Sequence, residues 1–322
     1  MSISRIETEI EKCLERIRER VKRFEERARQ LAQELERFGA VYTAKSCGPP
    51  QRVAGLDSSM AIASPHPSTR IAIVKASLIE SSASGSRVLK DVFRVEVVEA
   101  PRRVVDDVVE DLMLALESSL LSERIEGMLL IDGPVVDPPR PQSPHSTTLL
   151  RSAVGEENLH AYRAHRIAEL LSRGVDVVGF VKRIEGVGSD GELLEPILFR
   201  ALRILEQKLG SRVYIAADLE REHPEAVKHY REAGIDIVHV YALYGARAIR
   251  IDVACLSRCS LDRCSEVVER VLSLPSLNGV PLPVALAHER CRVGRDVVEV
   301  VERCIARRIL AIDPHAIDVL GR

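Results

Sequence analysis

Two aspartates follow apolar runs of the sequence, and their side chains are of the type that binds hard metal ions. Asp57 follows residues 53–56, and Asp132 follows residues 128–131. Each run predicts a buried strand, so each carboxylate is expected at a strand end, at one edge of a sheet. Phosphodiester hydrolysis uses one or two divalent ions held by such oxygens. The pair predicts a shared divalent-metal site, whereas either aspartate alone also suits a turn or a helix N-cap.

A third carboxylate is expected from the helix predicted over residues 104–121. Its candidates are Glu110, Asp111 and Glu117. Glu117 follows an apolar stretch near the inward end of this helix, so we select it as the third metal ligand, with Glu110 as its competitor. A solvated glutamate on the helix surface is the alternative interpretation.

Two further segments place cations and an imidazole after apolar runs. Lys182 and Arg183 follow residues 175–181, where fixed positive charge can hold a scissile phosphate or the DNA backbone. Solvated residues after a buried strand are the alternative. His288 also ends an apolar run, and taken alone it suits a hydrogen-bonded structural histidine. Arg290 extends this segment as part of a basic rim.

The order of the predicted elements assigns these residues to an α/β fold. The strand that ends in Asp57, within the stretch 52–60, is the first of three in a predicted antiparallel meander. Residues 70–80 and 88–99 are the second and third, and the helix and strand 128–131 follow. This is the order of the ribonuclease-H-like core, in which the fourth strand lies beside the first. We therefore expect a ribonuclease-H-like mixed sheet flanked by helices, with the two aspartates as neighbours.

The remainder of the chain alternates helical and strand patterns. Residues 135–148 are rich in proline and predict an irregular loop beside the site. Residues 278–293 form a segment punctuated by glycine and proline. The helices are predicted over 156–173, 196–209, 262–274 and 294–310, and the strands over 175–183, 213–217, 235–243 and 247–255.

A long helix is predicted at the N-terminus, because residues 3–38 contain neither glycine nor proline and carry apolar residues at helical spacing. Its narrow apolar stripe suits two uses equally: packing along its own domain, or service as a dimerisation or partner-docking arm. We divide the chain into an N-terminal helical arm, residues 1–45, and a ribonuclease-H-like domain with insertions, residues 46–322.

Composition excludes a disordered chain, since 46% of the 322 residues are apolar and 29% are charged. The net charge of -2 shows no global basic excess, so a nucleic-acid partner has to meet a local basic surface. The first ten residues lack a signal-peptide core, and no apolar run reaches the roughly 18 residues of a membrane span.

These features predict a cytoplasmic protein. Its seven cysteines are an odd number, which favours reduced thiols. Cys255, Cys259 and Cys264 cluster, but their spacing lacks the two-residue knuckle of common zinc sites, so they are expected as partly buried thiols.

Four motifs, taken in order with the long N-terminal helix, resemble the archaeal NurA nuclease family across almost the whole chain. They are Gly55-Leu56-Asp57-Ser58-Ser59, Leu130-Ile131-Asp132-Gly133-Pro134, Val178-Gly179-Phe180-Val181-Lys182-Arg183 and the segment from Asn278 to Arg290. Each motif is short, and it is the ordered set that is specific.

The resemblance implies a ribonuclease-H-like core in a homodimer and a manganese-dependent nuclease, with magnesium as an alternative ion. It implies a DNase that degrades DNA from the 5′ end and cuts single strands. It further implies joint work with the hexameric HerA ATPase in resecting double-strand breaks for homologous recombination and DNA repair.

By position, Asp57 and Asp132 match the metal-binding aspartates of the family, Lys182 its motif lysine and His288 its C-terminal active-site histidine. His288 is therefore expected to be functional and is added to the metal ligands. The helix glutamate lies in no fixed motif, so Glu117 rests on the argument from helix position. The chain departs from the family before the histidine, where Val280 and Leu282 stand in place of aromatic residues that stack on a base or orient the histidine.

Two other functions compete with the nuclease. A sugar-kinase or actin-like ATPase also places an aspartate on its first strand, but it normally has glycine directly after that aspartate, where this chain has Ser58. A catalytically silent subunit that loads or regulates a DNA translocase through the N-terminal helix is the third hypothesis. The intact set of aspartates, lysine and histidine argues against it.

Overall fold

The protein is a mixed α/β structure built on one large sheet. The computed structural model describes residues 3–43, 48–66, 69–136, 142–184, 194–218 and 224–312. The strands are β1 (Val41–Thr43), β2 (Arg52–His66), β3 (Thr69–Ser82), β4 (Gly85–Val97), β5 (Met128–Asp132), β6 (Asp176–Val181), β7 (Val213–Asp218), β8 (Ile235–Tyr244), β9 (Arg247–Leu256), β10 (Ser276–Leu277) and β11 (Val280–Pro281).

Helices cover both faces of this sheet. They are α1 (Ile3–Arg37), α2 (Val105–Ser119), α3 (Pro144–Val154), α4 (Leu159–Ser172), α5 (Leu194–Leu209), α6 (Pro224–Glu232), α7 (Leu261–Leu272), α8 (Leu282–Cys291) and α9 (Arg295–Ile312). Among the residues that the structure describes, no helix combines the length and the apolarity needed to cross a membrane.

The large sheet has nine strands in the order β1-β7-β8-β9-β6-β5-β2-β3-β4, and β10 and β11 form a separate hairpin. Strands β2, β3 and β4 form an antiparallel meander, while β5 lies parallel to β2 on its other side and β6 continues parallel to β5. The predicted meander and the predicted pairing of the fourth strand with the first are therefore confirmed. The mixed sheet flanked by helices is confirmed as well.

Alternating side chains of the strands supply a core on each face. On one face, β2, β5 and β6 pack against α4 and α6, with α2 covering β3. On the other face, the same strands pack against α7 and α8, and α9 covers β2 and β3. The central strands β5 and β6 are therefore buried on both sides, which explains why their sequences are continuous apolar runs.

Helix ends in the middle of the chain have local causes. The side chain of Ser143 accepts a hydrogen bond from the Ser146 amide at the start of α3, and Gly155 ends this helix with a left-handed φ of 79°. Asn158 then caps α4 through the Ala161 amide. Over the segment for which the sequence predicted an irregular loop followed by one helix, the structure therefore has two short helices, α3 and α4. The predicted loop is therefore wrong from Pro144 onward, and residues 137–141 lie outside the described residues.

The N-terminal helix α1 packs along its own domain in its second half. Phe24, Ala28 and Ala32 are buried against α5. Its first half instead leaves apolar side chains exposed, among them Ile10 at 52% and Ile17 at 57%. Packing along its own domain is thus confirmed for the second half of this helix, and the dimerisation or partner-docking arm stays a prediction.

Candidate active site

The two aspartates selected from the sequence are neighbours on parallel strands. Leu56 of β2 pairs with Ile131 of β5, so the next residues, Asp57 and Asp132, lie side by side. Strand β5 ends at Asp132, but β2 continues to His66. The expectation that Asp57 ends its strand is therefore wrong. It lies within β2, at the point where the pairing of β2 with β5 stops and one side of β2 is left open to other groups.

His288 reaches this point from helix α8. Its Nδ1 lies 2.7 Å from Asp57 Oδ2 and 3.5 Å from Asp132 Oδ2. One ligand atom from each of the three side chains lies within 4.8 Å of those of the other two. From the sequence, residues 278–293 are a segment punctuated by glycine and proline with no predicted helix, so α8 is a correction. It was missed because this helix has only ten residues, carries prolines at its N-cap and at its second position, and lacks a clear alternation of polar and apolar residues at helical spacing.

Gly55 allows α8 to lie directly on the sheet. A Cβ atom at this position would be 2.2 Å from the carbonyl carbon and oxygen of Pro283 and 2.6 Å from the amide nitrogen of Val284. Contacts of this length with backbone leave no room for any side chain. The close approach sets the height of α8 above β2 and therefore the distance of His288 from Asp57.

Lys182 follows the end of β6 and completes the cluster. Its Nζ lies 2.5 Å from Asp132 Oδ2, the oxygen that also faces His288. Arg183 is exposed beside it. Arg290 is on α8 but pairs with Asp91 of β4 at 2.7 Å, which directs its guanidinium away from the two aspartates. Lys182 is thus part of the cluster, whereas the other two cations lie on its rim.

Glu117 on α2 approaches the cluster from the opposite face of the sheet. It is 3% exposed, and its Oε2 accepts a hydrogen bond of 2.6 Å from Ser58, the residue after Asp57. Its Oε1 accepts from Arg163 at 2.8 Å. Glu110 lies two helical turns earlier and is only half-buried. Of the two competing glutamates, Glu117 is therefore the one beside Asp57, although it is outside the group of three converging ligand atoms.

Electrostatics at Asp57 are dominated by burial. Burial raises the pKa of the Asp57 carboxyl to about 7, and the negative charges of Asp132 and Glu117 add to this rise. Hydrogen bonds from His288 and from the Ser58 amide oppose it. The carboxylates are thus close enough to repel one another, and a bound cation would relieve this repulsion.

Sequence reasoning did not select three residues that contact the predicted ligands. Ser58 and Arg163 both donate to Glu117, and the Cys291 thiol lies 3.4 Å from Asp57 Oδ2. A signal for Arg163 was present, since it stands four residues after Leu159 and four before Ile167 on the buried stripe of α4. An arginine at a core position of a helix calls for a buried partner.

The three clustered cysteines lie apart from this site, at the junction of β9 and α7. Cys255 and Cys259 form a disulfide with a Cα–Cα distance of 5.4 Å, and the Cys264 thiol is buried beside them. The expectation of reduced thiols is therefore wrong for this pair. The turn after β9 brings two cysteines only four residues apart within bonding reach.

Comparison with known proteins bears on the family and the fold of the chain. The NurA domain family matches residues 51–293. No curated protein sequence matches the chain. The crystal structure of the NurA nuclease from Sulfolobus solfataricus is similar over 97% of this chain and 98% of that chain, with a TM-score of 0.66 and 16% sequence identity.

Two further solved structures share the fold. A crystal structure of NurA with manganese covers 88% of this chain and 95% of that chain, with a TM-score of 0.58 and 12% identity. Another structure of NurA covers 94% and 99%, with a TM-score of 0.57 and 12% identity. The likeness thus extends over nearly the full length of each of these chains.

Proposed function

The chain belongs to the NurA family, and from this premise we propose that it is a divalent-metal-dependent nuclease that hydrolyses DNA phosphodiesters. The observation that carries the proposal is the convergence of ligand atoms from Asp57, Asp132 and His288 within 4.8 Å of one another. Carboxylate and imidazole donors together suit Mn²⁺, with Mg²⁺ as the alternative ion.

This donor set fits a cation in charge as well as in type. Asp57 is only 6% exposed, and burial together with its acidic neighbours raises its carboxyl pKa. When bound, the ion would polarise the phosphodiester and make a water molecule a better nucleophile. Asp57, Asp132 and His288 are the residues that we propose hold it. Glu117 is the proposed third carboxylate, facing the site from behind Ser58.

Positive side chains around the cluster are proposed to bind the nucleic acid. Lys182 forms a salt bridge of 2.5 Å with Asp132. Its ammonium is therefore placed to neutralise the negative charge of a phosphate oxygen that binds next to this carboxylate. We assign Lys182 to the scissile phosphate, and Arg183 and Arg290 to the DNA backbone on the rim. Because only these few cations contact the phosphates in this proposal, DNA affinity is expected to depend on the local positive charge and not on the net charge of the chain.

The biological setting follows from the resemblance to the family. We propose 5′–3′ exonuclease and single-strand endonuclease activity, exerted in the cytoplasm as a homodimer with a HerA-type hexameric ATPase, in the resection of double-strand breaks. The exposed apolar side chains on the first half of α1 support a protein–protein contact there. We keep the proposed division into an arm of residues 1–45 and a nuclease domain of residues 46–322.

The experiment that tests the proposal is cleavage by the purified chain. Single-stranded DNA and duplexes, labelled at the 5′ or the 3′ end, are incubated with Mn²⁺, with Mg²⁺ or with a chelator. We expect cleavage with Mn²⁺, loss of cleavage with the chelator, and early release of the 5′ label. Absence of cleavage by a folded chain with Mn²⁺ would contradict the proposal and favour a silent subunit. Saturable ATP binding without cleavage would favour the actin-like ATPase.

Metal binding is expected to depend on pH because the Asp57 carboxyl has to lose its proton first. Its pKa is raised to about 7 in the metal-free protein. Below this pH, Mn²⁺ and a proton compete for the carboxylate, so Mn²⁺ affinity should fall about tenfold for each pH unit and should level off above pH 7. Calorimetric titration with Mn²⁺ from pH 5.5 to 8.5 measures this pH dependence. A Mn²⁺ affinity that does not change between these pH values would contradict the expectation.

A further inference from the structure

Arg163 of α4 is a charged side chain enclosed by the protein, with only 1% of its surface exposed. It is the largest fully buried side chain among the described residues. A guanidinium in such a place is tolerated only when carboxylates and carbonyl groups satisfy its donors. The groups that surround it therefore show what it holds in place.

Three hydrogen bonds of Arg163 reach two different segments behind the carboxylate cluster. The Nη1 atom donates to Glu117 Oε1 at 2.8 Å and to Ser118 Oγ at 3.2 Å, both on α2. The Nε atom donates to the Val135 carbonyl at 3.2 Å, three residues after Asp132. One side chain thus joins α2 to the segment that leaves β5.

Through Glu117 the same arginine is connected to the strand of the first aspartate. The second oxygen of Glu117 accepts a hydrogen bond of 2.6 Å from Ser58 Oγ, and the Ser58 amide donates a hydrogen bond of 2.7 Å to Asp57 Oδ1. The chain of contacts from Arg163 therefore reaches β2 on one side and the exit of β5 on the other. These are the two strands whose aspartates face the candidate ion.

We propose that Arg163 is a positioning residue that orients Glu117 and sets the placement of Asp57 relative to Asp132 for metal binding. This inference rests on the proposed nuclease function. In this proposal the guanidinium acts through Glu117 and not on the ion or the substrate itself. It holds one oxygen of Glu117, so the other is aimed at Ser58, and it supplies positive charge behind a cluster of three carboxylates.

The contact with Glu117, and not the one with Val135, is expected to matter most. The Val135 carbonyl also accepts a hydrogen bond of 2.8 Å from the Tyr230 hydroxyl, so it keeps a donor when Arg163 is altered. Glu117 would lose the cation that fixes its orientation. A group of this kind outside the ligands typically changes metal affinity by about 10- to 100-fold when it is replaced.

The test is the Arg163→Lys variant of the full chain, which keeps the charge and loses the planar fork. We expect its Mn²⁺ dissociation constant, measured by calorimetry, to rise about 10- to 100-fold. The Mn²⁺ concentration for half-maximal cleavage should rise in parallel. The matched control is Arg166→Lys on the same helix, where Arg166 pairs with Glu169 at 2.9 Å, and its Mn²⁺ affinity should stay within twofold of the wild-type value.

Measurement of thermal unfolding separates positioning from packing alone. A lower melting temperature for Arg163→Lys with a wild-type Mn²⁺ dissociation constant would overturn the inference. If Arg163→Lys does not fold, Ser58→Ala interrupts the same chain of contacts at the smaller side chain. Wild-type Mn²⁺ affinity in that variant would overturn the inference too. Failure of the wild-type chain itself to bind Mn²⁺ and to cleave DNA would instead reject the nuclease proposal, and this inference with it.

Discussion

Replacement of Asp57 by asparagine is expected to lower Mn²⁺-dependent cleavage of single-stranded DNA by about a thousandfold or more. Asparagine keeps the size of the side chain but removes the charge that faces Asp132 and His288, and a catalytic ion contributes several kcal/mol to the reaction barrier. Steady-state rates at saturating Mn²⁺ measure the effect. The matched control is Asp106→Asn, at an exposed position on the first turn of α2, which should keep the wild-type rate.

The same substitution is expected to stabilise the metal-free protein at pH 8. The pKa of Asp57 is 3.8 as a free carboxyl and about 7 in the fold, so between these values the folded chain binds more protons than the unfolded chain. The stability of the wild type therefore falls as pH rises through this window, and Asp57→Asn removes that loss. Melting temperatures with a chelator at pH 5 and pH 8 report it. Unchanged cleavage, or a less stable variant at pH 8, would contradict this account of the site.

Replacement of Gly55 by alanine is expected to damage both the fold and the activity. The added Cβ would meet the Pro283 backbone at 2.2 Å, and neither strand β2 nor the backbone of α8 can move aside as a side chain could. We expect a loss of about 1–3 kcal/mol in the free energy of unfolding. Because α8 carries His288, a shift of the helix by about 1 Å should also lower cleavage by about a hundredfold.

Gly48→Ala is the matched control for that experiment. Apart from Gly48 itself and its chain neighbours, no atom of the described residues lies within 4 Å of the position of its Cβ, so this variant should melt and cleave as the wild type does. Chemical denaturation provides the free energy, and rates are compared at a temperature where both variants are folded. A Gly55→Ala protein with wild-type stability and rate would show that α8 does not depend on this close approach.

The placement of the aspartates could be predicted because it depends on neighbouring strands with strong apolar patterns. Residues 53–56 and 128–131 are buried on both faces, and a meander followed by a helix leaves few positions for the next strand. Among these positions, the element order of the ribonuclease-H-like core selects the one beside β2. The continuation of β2 beyond Asp57 could not be predicted, because that part pairs on one side only and so carries a weaker pattern.

The position of His288 and the orientation of Glu117 depended on contacts between distant parts of the chain. Helix α8 is short, and its place is determined by Gly55, more than 220 residues earlier. Glu117 takes its orientation from Ser58 and Arg163, which belong to β2 and α4. Periodicity describes one element at a time and contains no information on such pairs. The resemblance to the NurA family pointed to His288 but not to Arg163.

The parallel pairing of β2 with β5 also determines which ligand can move. Adjacent strands are held about 4.8 Å apart by their hydrogen bonds, so Asp57 and Asp132 cannot separate unless the sheet opens. His288 is carried by a helix, which is held to the sheet by packing and by hydrogen bonds from side chains, such as those from Ser59 Oγ to the Cys291 carbonyl and from Lys75 Nζ to the Arg290 carbonyl, and not by a strand ladder. We therefore expect an adjustment of this site to ions of different radius to come from the His288 side chain, while the spacing of the two strands that carry the carboxylates stays constant.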